Sequence, residues 1–189
     1  MNIYQFKIAL KHIAPPVWRR FMVNSDMKFP DFHKVLQTVM GWNDCHLHQF
    51  IIDNEYYAPE FEDIEQIGIN YKSIKLEDLI VKERQKFFYE YDFGDGWEHI
   101  IILEKILPDN KKFQYPVSLS GKRSCPPENC GSIPGYERLL EALKDPHNKK
   151  YEEILEWLEP NGFDPEYFNL NEINFLLQEK DYGCSSIMW

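Results

Sequence analysis

Arginine is scarce in this chain. Of 21 basic residues only five are arginine, at positions 19, 20, 84, 123 and 138, and they form no cluster in the sequence. The formal net charge is -10, so the surface as a whole repels phosphate. Nonspecific nucleic-acid binding is disfavoured. Phosphodiester recombination is too, because it sets a nucleophilic Ser or Tyr among several arginines that neutralise the scissile phosphate. Long apolar runs are missing as well. The longest aliphatic run, Ile100 to Leu103, is far too short to span a bilayer. Met1 to Lys11 alternates polar and apolar residues, unlike a signal peptide. These features predict a cytoplasmic protein with no membrane partner. Cysteine is sparse, at 45, 125, 130 and 184, and reduced thiols are expected in that compartment. Gly-x-Gly-x-x-Gly, the P-loop, Gly-x-Ser-x-Gly and His-Glu-x-x-His are all absent. No recognisable catalytic set remains, which points away from an enzyme.

Aromatic residues, by contrast, are plentiful at 15% of the chain. They carry large buried areas and predict a substantial core. Ile3 to Leu10 alternates with period two, and Val17 to Val23 follows as an antiparallel neighbour after Ala14-Pro15-Pro16. Phe32, Val35, Leu36, Val39 and Met40 make one apolar helix face, closed by Gly41. His46 to Asp53 returns as a strand. Phe87 to Phe93 and Trp97 to Leu107 read as a hairpin, with Asp95-Gly96 supplying the positive φ of a tight turn. Lys75 to Ile80 reads as a helical turn, and Tyr115 to Leu119 as a short strand. Beyond residue 132 the pattern is helical. Tyr136, Leu139, Leu140 and Leu143 share one face, and Tyr151, Ile154, Leu155 and Leu158 another. Asn169 and Glu172 have capping-box spacing at the start of a third helix.

Regular βα alternation is missing. The order therefore predicts an α+β fold: a mainly antiparallel sheet, an N-terminal helix packed on it and a C-terminal group of helices. One domain over 1–189 is expected, strand-rich to about residue 120 and helical over about 132–180.

Three stretches carry candidate chemistry. In "HLHQF", His46 and His48 project to one face of a strand and could share a metal. In "DFGDGWEH", Asp92, Asp95, Glu98 and His99 crowd a turn. Asp95 is a good turn residue on structural grounds alone, and Glu98 and His99 point to opposite faces of a regular strand. In "CPPENC", Cys125 and Cys130 have zinc-ligand spacing but make only half a site. The candidate metal ligands are thus His46, His48, His99, Cys125 and Cys130, with zinc as the candidate ion. Asp95 and Glu98 are the candidate acid–base residues. Trp42, Asp92, Trp97 and Tyr136 are candidates for a binding groove.

"HKVLQTVMGWNDCHLHQF", "YEYDFGDGWEHIIILE" and "CPPENCGSIPGYERLLEAL", in this order, resemble the Ri-plasmid open-reading-frame-three-like family over roughly residues 3–178. Some members of that family carry insertion-element passenger or resolvase-like labels, and no activity is established for it. The resemblance implies a plasmid or mobile-element protein. The leading expectation is a non-enzymatic binding or accessory module with a protein or small-molecule partner. The competing expectations are a zinc-dependent hydrolase built on the His/Asp/Cys cluster, and a regulatory factor acting with a transposase or on DNA.

Overall fold

The computed structural model describes residues 2–60, 68–109, 115–145 and 162–184. Its frame is an eight-stranded sheet. In chain order the strands are β1 (Asn2–Leu10), β2 (Trp18–Asn24), β3 (His48–Ile52), β4 (Glu55–Ala58), β5 (Ile69–Asn70), β6 (Lys86–Tyr91), β7 (Trp97–Pro108) and β8 (Val117–Lys122). Across the sheet they run β5-β4-β3-β6-β7-β1-β2-β8. Every pairing is antiparallel except β4 with β5, so the sheet is mixed. With helices α1 (Phe29–Met40), α2 (Leu76–Leu79), α3 (Ser132–Ala142) and α4 (Leu170–Leu176), the architecture is α+β. The helical segment expected around Tyr151 to Leu158 lies outside the described residues.

Side-chain alternation decides which face of the sheet is dry. In β6, Phe87, Tyr89 and Tyr91 are buried while Lys86 and Phe88 are exposed. In β7, Trp97, His99, Ile101 and Leu103 are buried. Helix α1 covers this inner face. Its Phe32 ring lies 5.1 Å from Phe6, 6.0 Å from Phe21 and 5.9 Å from Phe50. Burying each such ring contributes about 1.5–3 kcal/mol, so this contact is a principal source of stability. The opposite face carries polar pairs. Arg20 grips Glu104 through two bonds of 2.7 and 2.9 Å, and Gln5 donates to the same carboxylate.

Helix α1 begins after Lys28 with a proline in its first turn, where a missing N–H is harmless. It ends at Gly41, whose φ of 95° reverses the chain. That reversal sends residues 42–47 back across the end of the sheet and into β3. Between β6 and β7 the connection is five residues long, Asp92 to Gly96. The left-handed positions are Asp92 (φ 58°) and Gly96 (φ 68°), rather than an Asp95-Gly96 pair. Asp92 closes the loop by accepting from the N–H groups of Gly94 and Asp95. Asp tolerates this conformation because its short side chain bonds the backbone ahead of it.

Candidate functional site

Three connections meet at one end of the sheet: the turn after α1, the β6–β7 loop and the Cys-Pro-Pro loop before α3. The Trp42 indole N–H donates to Pro126 O at 2.9 Å. Glu128 Oε1 accepts from the Asn43 N–H at 3.0 Å and from the Tyr91 hydroxyl at 2.9 Å. The Gly131 N–H donates to Asp95 Oδ2 at 3.1 Å. The motifs that stand far apart in the chain thus knit three loops together.

The two histidines of "HLHQF" part company here. His48 opens β3 and lies flat against His33 of α1, with ring centroids 3.4 Å apart and planes 4° from parallel. His33 is held at both nitrogens, by the Tyr89 hydroxyl at 2.9 Å and by Asp44 Oδ1 at 2.7 Å. His48 Nε2 bonds the Tyr71 hydroxyl. Burial, and to a lesser extent the neighbouring His33, hold the His48 imidazole well below its ordinary range, so it is neutral. His33, Asp44 and His48 offer atoms close enough to share an ion. Yet His33, His48 and Asp44 already spend nitrogens and a carboxylate oxygen on internal bonds, which is how a polar core cluster is stabilised.

His46 sits before the strand, in the bend that follows α1. Its Nε2 is buried and has no hydrogen-bond partner among the described residues. It lies 3.6 Å from Asp92 Oδ2 and 3.6 Å from Glu128 Oε2. Glu128 Oε2 is likewise buried without a hydrogen bond. The Cys45 thiol completes a group with His46 and Glu128 in which all three donor atoms lie within 4.8 Å of one another. Burial keeps that thiol above its ordinary pKa, hence protonated.

The remaining candidates are dispersed. His99 is wholly buried, its Nδ1–H donating to Tyr89 O at 3.1 Å and its ring edge-on to Trp42. Cys125 and Cys130 are buried thiols, both pushed up to about 12 mainly by desolvation. Among the described residues neither ion-sized group includes His99, Cys125 or Cys130. Glu98 is exposed and pairs with Lys11, while Asp95 buttresses the α3 entrance. Trp42, Trp97, Tyr136 and Asp92 are 0–6% exposed, so they pack beneath the surface rather than line an open groove. The expectation of one strand face carrying both histidines fails because β3 starts only at His48, which frees His46 from the pleat. Sequence reasoning did not weigh His33, Cys45 or Glu128 as ligands. A histidine on the apolar face of α1 and a Cys-His dipeptide were the available signals.

Beside the three-loop junction a cleft of about 560 Å³ opens. One wall is the end of α1 and the Cys-Pro-Pro loop, including Met40, Pro126 and Pro127. The other comes from residues 162–176, with Tyr167 half exposed. Arg19 lies between the two, its guanidinium 5.0 Å from the Phe168 ring and its Nε donating to Val39 O.

Fold and junction make this an α+β protein in which a hairpin loop, a helix-ending turn and a Cys-Pro-Pro loop are bonded together at one end of a mixed sheet. The chain belongs to the plasmid pRiA4b ORF-3-like family, which it matches over residues 2–172. It is 33% identical over 174 residues to the uncharacterised protein y4hQ of Sinorhizobium fredii, covering 92% of this chain and 89% of that one. It is also similar to a crystal structure of the protein of unknown function MM3350 from Methanosarcina mazei Go1. That similarity has a TM-score of 0.80 and 37% identity, over 90% of this chain and 97% of the other. The family is plasmid-associated and its relatives are uncharacterised. No helix among the described residues is long and apolar enough to cross a membrane.

Proposed function

We propose that this is a non-enzymatic binding module of the cytoplasm, a single unit in which the N-terminal helix and the C-terminal helices hold a ligand cleft at one end of the sheet. The observation that carries the reading is the shared Cys-Pro-Pro loop. The loop fastened to Trp42 and Asn43 by the family motifs is also a wall of the cleft. A volume of about 560 Å³ suits a small molecule or a few residues of peptide. The aromatic and proline walls offer apolar area, and exposed Tyr167 offers a polar edge. The motif residues act as scaffold: they hold the wall rigid, which lowers the ordering cost of binding.

A fragment screen by two-dimensional NMR tests this. The Trp42 indole N–H reports on the wall through its bond to Pro126. Binding fragments are expected to shift that resonance together with those of Tyr167 and Phe168, and Tyr167→Ala is expected to weaken them. Fragments that scatter over the surface, or that bind Tyr167→Ala unchanged, would remove the basis for the cleft.

A further inference from the structure

We infer that Cys45, His46 and Glu128 form a zinc site, with Asp92 oriented toward its open coordination position. The chemistry of the donors selects the ion. A thiolate, an imidazole and a carboxylate are a mixed set that suits zinc, whereas magnesium and calcium take oxygen donors.

Geometry carries the assignment. In a tetrahedral zinc site, ligand atoms about 2.0–2.3 Å from the ion stand roughly 3.3–3.8 Å from one another. His46 Nε2 and Glu128 Oε2 stand 3.6 Å apart, too long for a hydrogen bond and suited to a shared ion. Both atoms are buried, and neither meets hydrogen-bond geometry with any of the described residues. Leaving two such atoms bare is costly, so the arrangement calls for something between them.

The way each carboxylate divides its oxygens points in the same direction. Glu128 Oε1 is committed to the Asn43 N–H and the Tyr91 hydroxyl, which leaves Oε2 facing His46. Asp92 Oδ1 is committed to the Gly94 and Asp95 N–H groups, which leaves Oδ2 facing the same nitrogen at 3.6 Å. One oxygen fixes the side chain and the other is presented, as in sites where surrounding hydrogen bonds orient a metal's ligands. Tyr91 also accepts from the Cys45 N–H at 3.1 Å, so one hydroxyl orients two of the three ligands. Three protein donors leave a fourth position for water, and Asp92 Oδ2 is placed to accept its hydrogen bond. The partly exposed His46 ring gives the ion a way in. On binding, the Cys45 proton is released to solvent and the thiolate bonds the metal.

The contrast with the neighbouring His33–Asp44–His48 group supports the choice. There the nitrogens of His33 and Nε2 of His48 already have hydrogen-bond partners.

The test uses the full chain, stripped with a chelator and titrated with Zn²⁺ and then Co²⁺. The expected result is one zinc per chain by elemental analysis. Cobalt should give a thiolate charge-transfer band that Cys45→Ser abolishes. His46→Gln and Glu128→Gln should each weaken binding at least about tenfold. A Cys125→Ser, Cys130→Ser double variant should keep both the metal and the band. Circular dichroism of the stripped variants controls for folding, and the cobalt spectrum of the unaltered chain needs no variant. Absence of stoichiometric binding overturns the site. So does a band that survives Cys45→Ser or disappears in the Cys125/Cys130 variant. The fragment screen at the cleft is read on metal-free protein, so each proposal can fail alone.

Discussion

Lowering the pH from 7 to 4 should destabilise the protein through His99, a residue that looked like a metal ligand in the sequence and lies in the core. Its ring is 0% exposed. Nδ1–H donates to Tyr89 O, and Nε2 has no partner among the described residues. Charging the ring would put a second N–H into a fully buried site away from water. Desolvation accordingly lowers its pKa from 6.5 to about 4, although backbone bonds to Tyr89 and Trp97 oppose this. In the unfolded chain the same ring takes up a proton near 6.5. Between these values the unfolded state binds more protons than the native state, so stability rises with pH. The contribution is complete above pH 6.5 and is lost progressively as the pH falls toward 4. At ~1.4 kcal/mol per pH unit, the interval is worth about 3 kcal/mol. That is a large share of the ~5–15 kcal/mol that holds a typical domain folded. Urea unfolding at pH 7, 6, 5 and 4 measures it in the unaltered chain and in His99→Phe. His48 and the carboxylates contribute to both, so the difference in slope isolates His99. The variant should lose most of the extra acid sensitivity, and NMR should show His99 neutral with its proton on Nδ1 at pH 5. A ring that titrates near 6.5, or a variant with an unchanged pH slope, would refute the reasoning.

Trp42→Phe removes the indole bond to Pro126 O and should cost about 1 kcal/mol, read as a drop in melting temperature. Gly135→Ala tests a close approach: a Cβ there would stand 1.9 Å from the carbonyl oxygen of Cys130. Helix propensity alone predicts a gain of about 1 kcal/mol, whereas the contact predicts a loss of roughly 2 kcal/mol or more, so the sign of the change in urea midpoint decides. Asn169→Ala removes the cap that accepts from the N–H groups of Asn171 and Glu172, and should cost about 1 kcal/mol with faster amide exchange at those two positions.

Much of the frame was legible because it rests on periodicity. Alternation located β1, β2, β6 and β7, and the spacing of Phe32, Leu36 and Met40 located α1 up to its glycine stop. The strands are paired over long stretches, so local pattern and tertiary burial agree. Short elements were harder. The two-residue β5 pairs in parallel with β4, and nothing in Ile69-Asn70 signals it. The hairpin loop differs in detail from the Asp95-Gly96 turn its sequence suggests, because Asp92, an acid in the left-handed region, closes it instead. Trp97 and Tyr136 read as a groove because sequence cannot say whether an aromatic face is covered. Both are buried, and the Tyr136 ring stands edge-on to Phe163 at 6.2 Å.

The candidate site was harder to read than the frame for a specific reason. Pleat parity says which way a side chain points only while the residue is in a strand, and β3 begins two residues too late for His46. Two residues ahead of the strand, the ring turns toward Glu128, 82 positions further along the chain. His48, inside the strand, is driven by the same parity into the core, where α1 supplies a second imidazole to stack on it. Two histidines separated by one residue thus reach opposite states. His48 has its Nε2 bonded to the Tyr71 hydroxyl and its ring buried. His46 keeps a bare nitrogen between two oriented carboxylates beside a thiol. What distinguishes a structural histidine from a candidate ligand here is whether folding has already filled its hydrogen bonds. That depends on Tyr71, Tyr89, Asp92 and Glu128, all remote in sequence, and so it becomes readable only when the three loops are seen together.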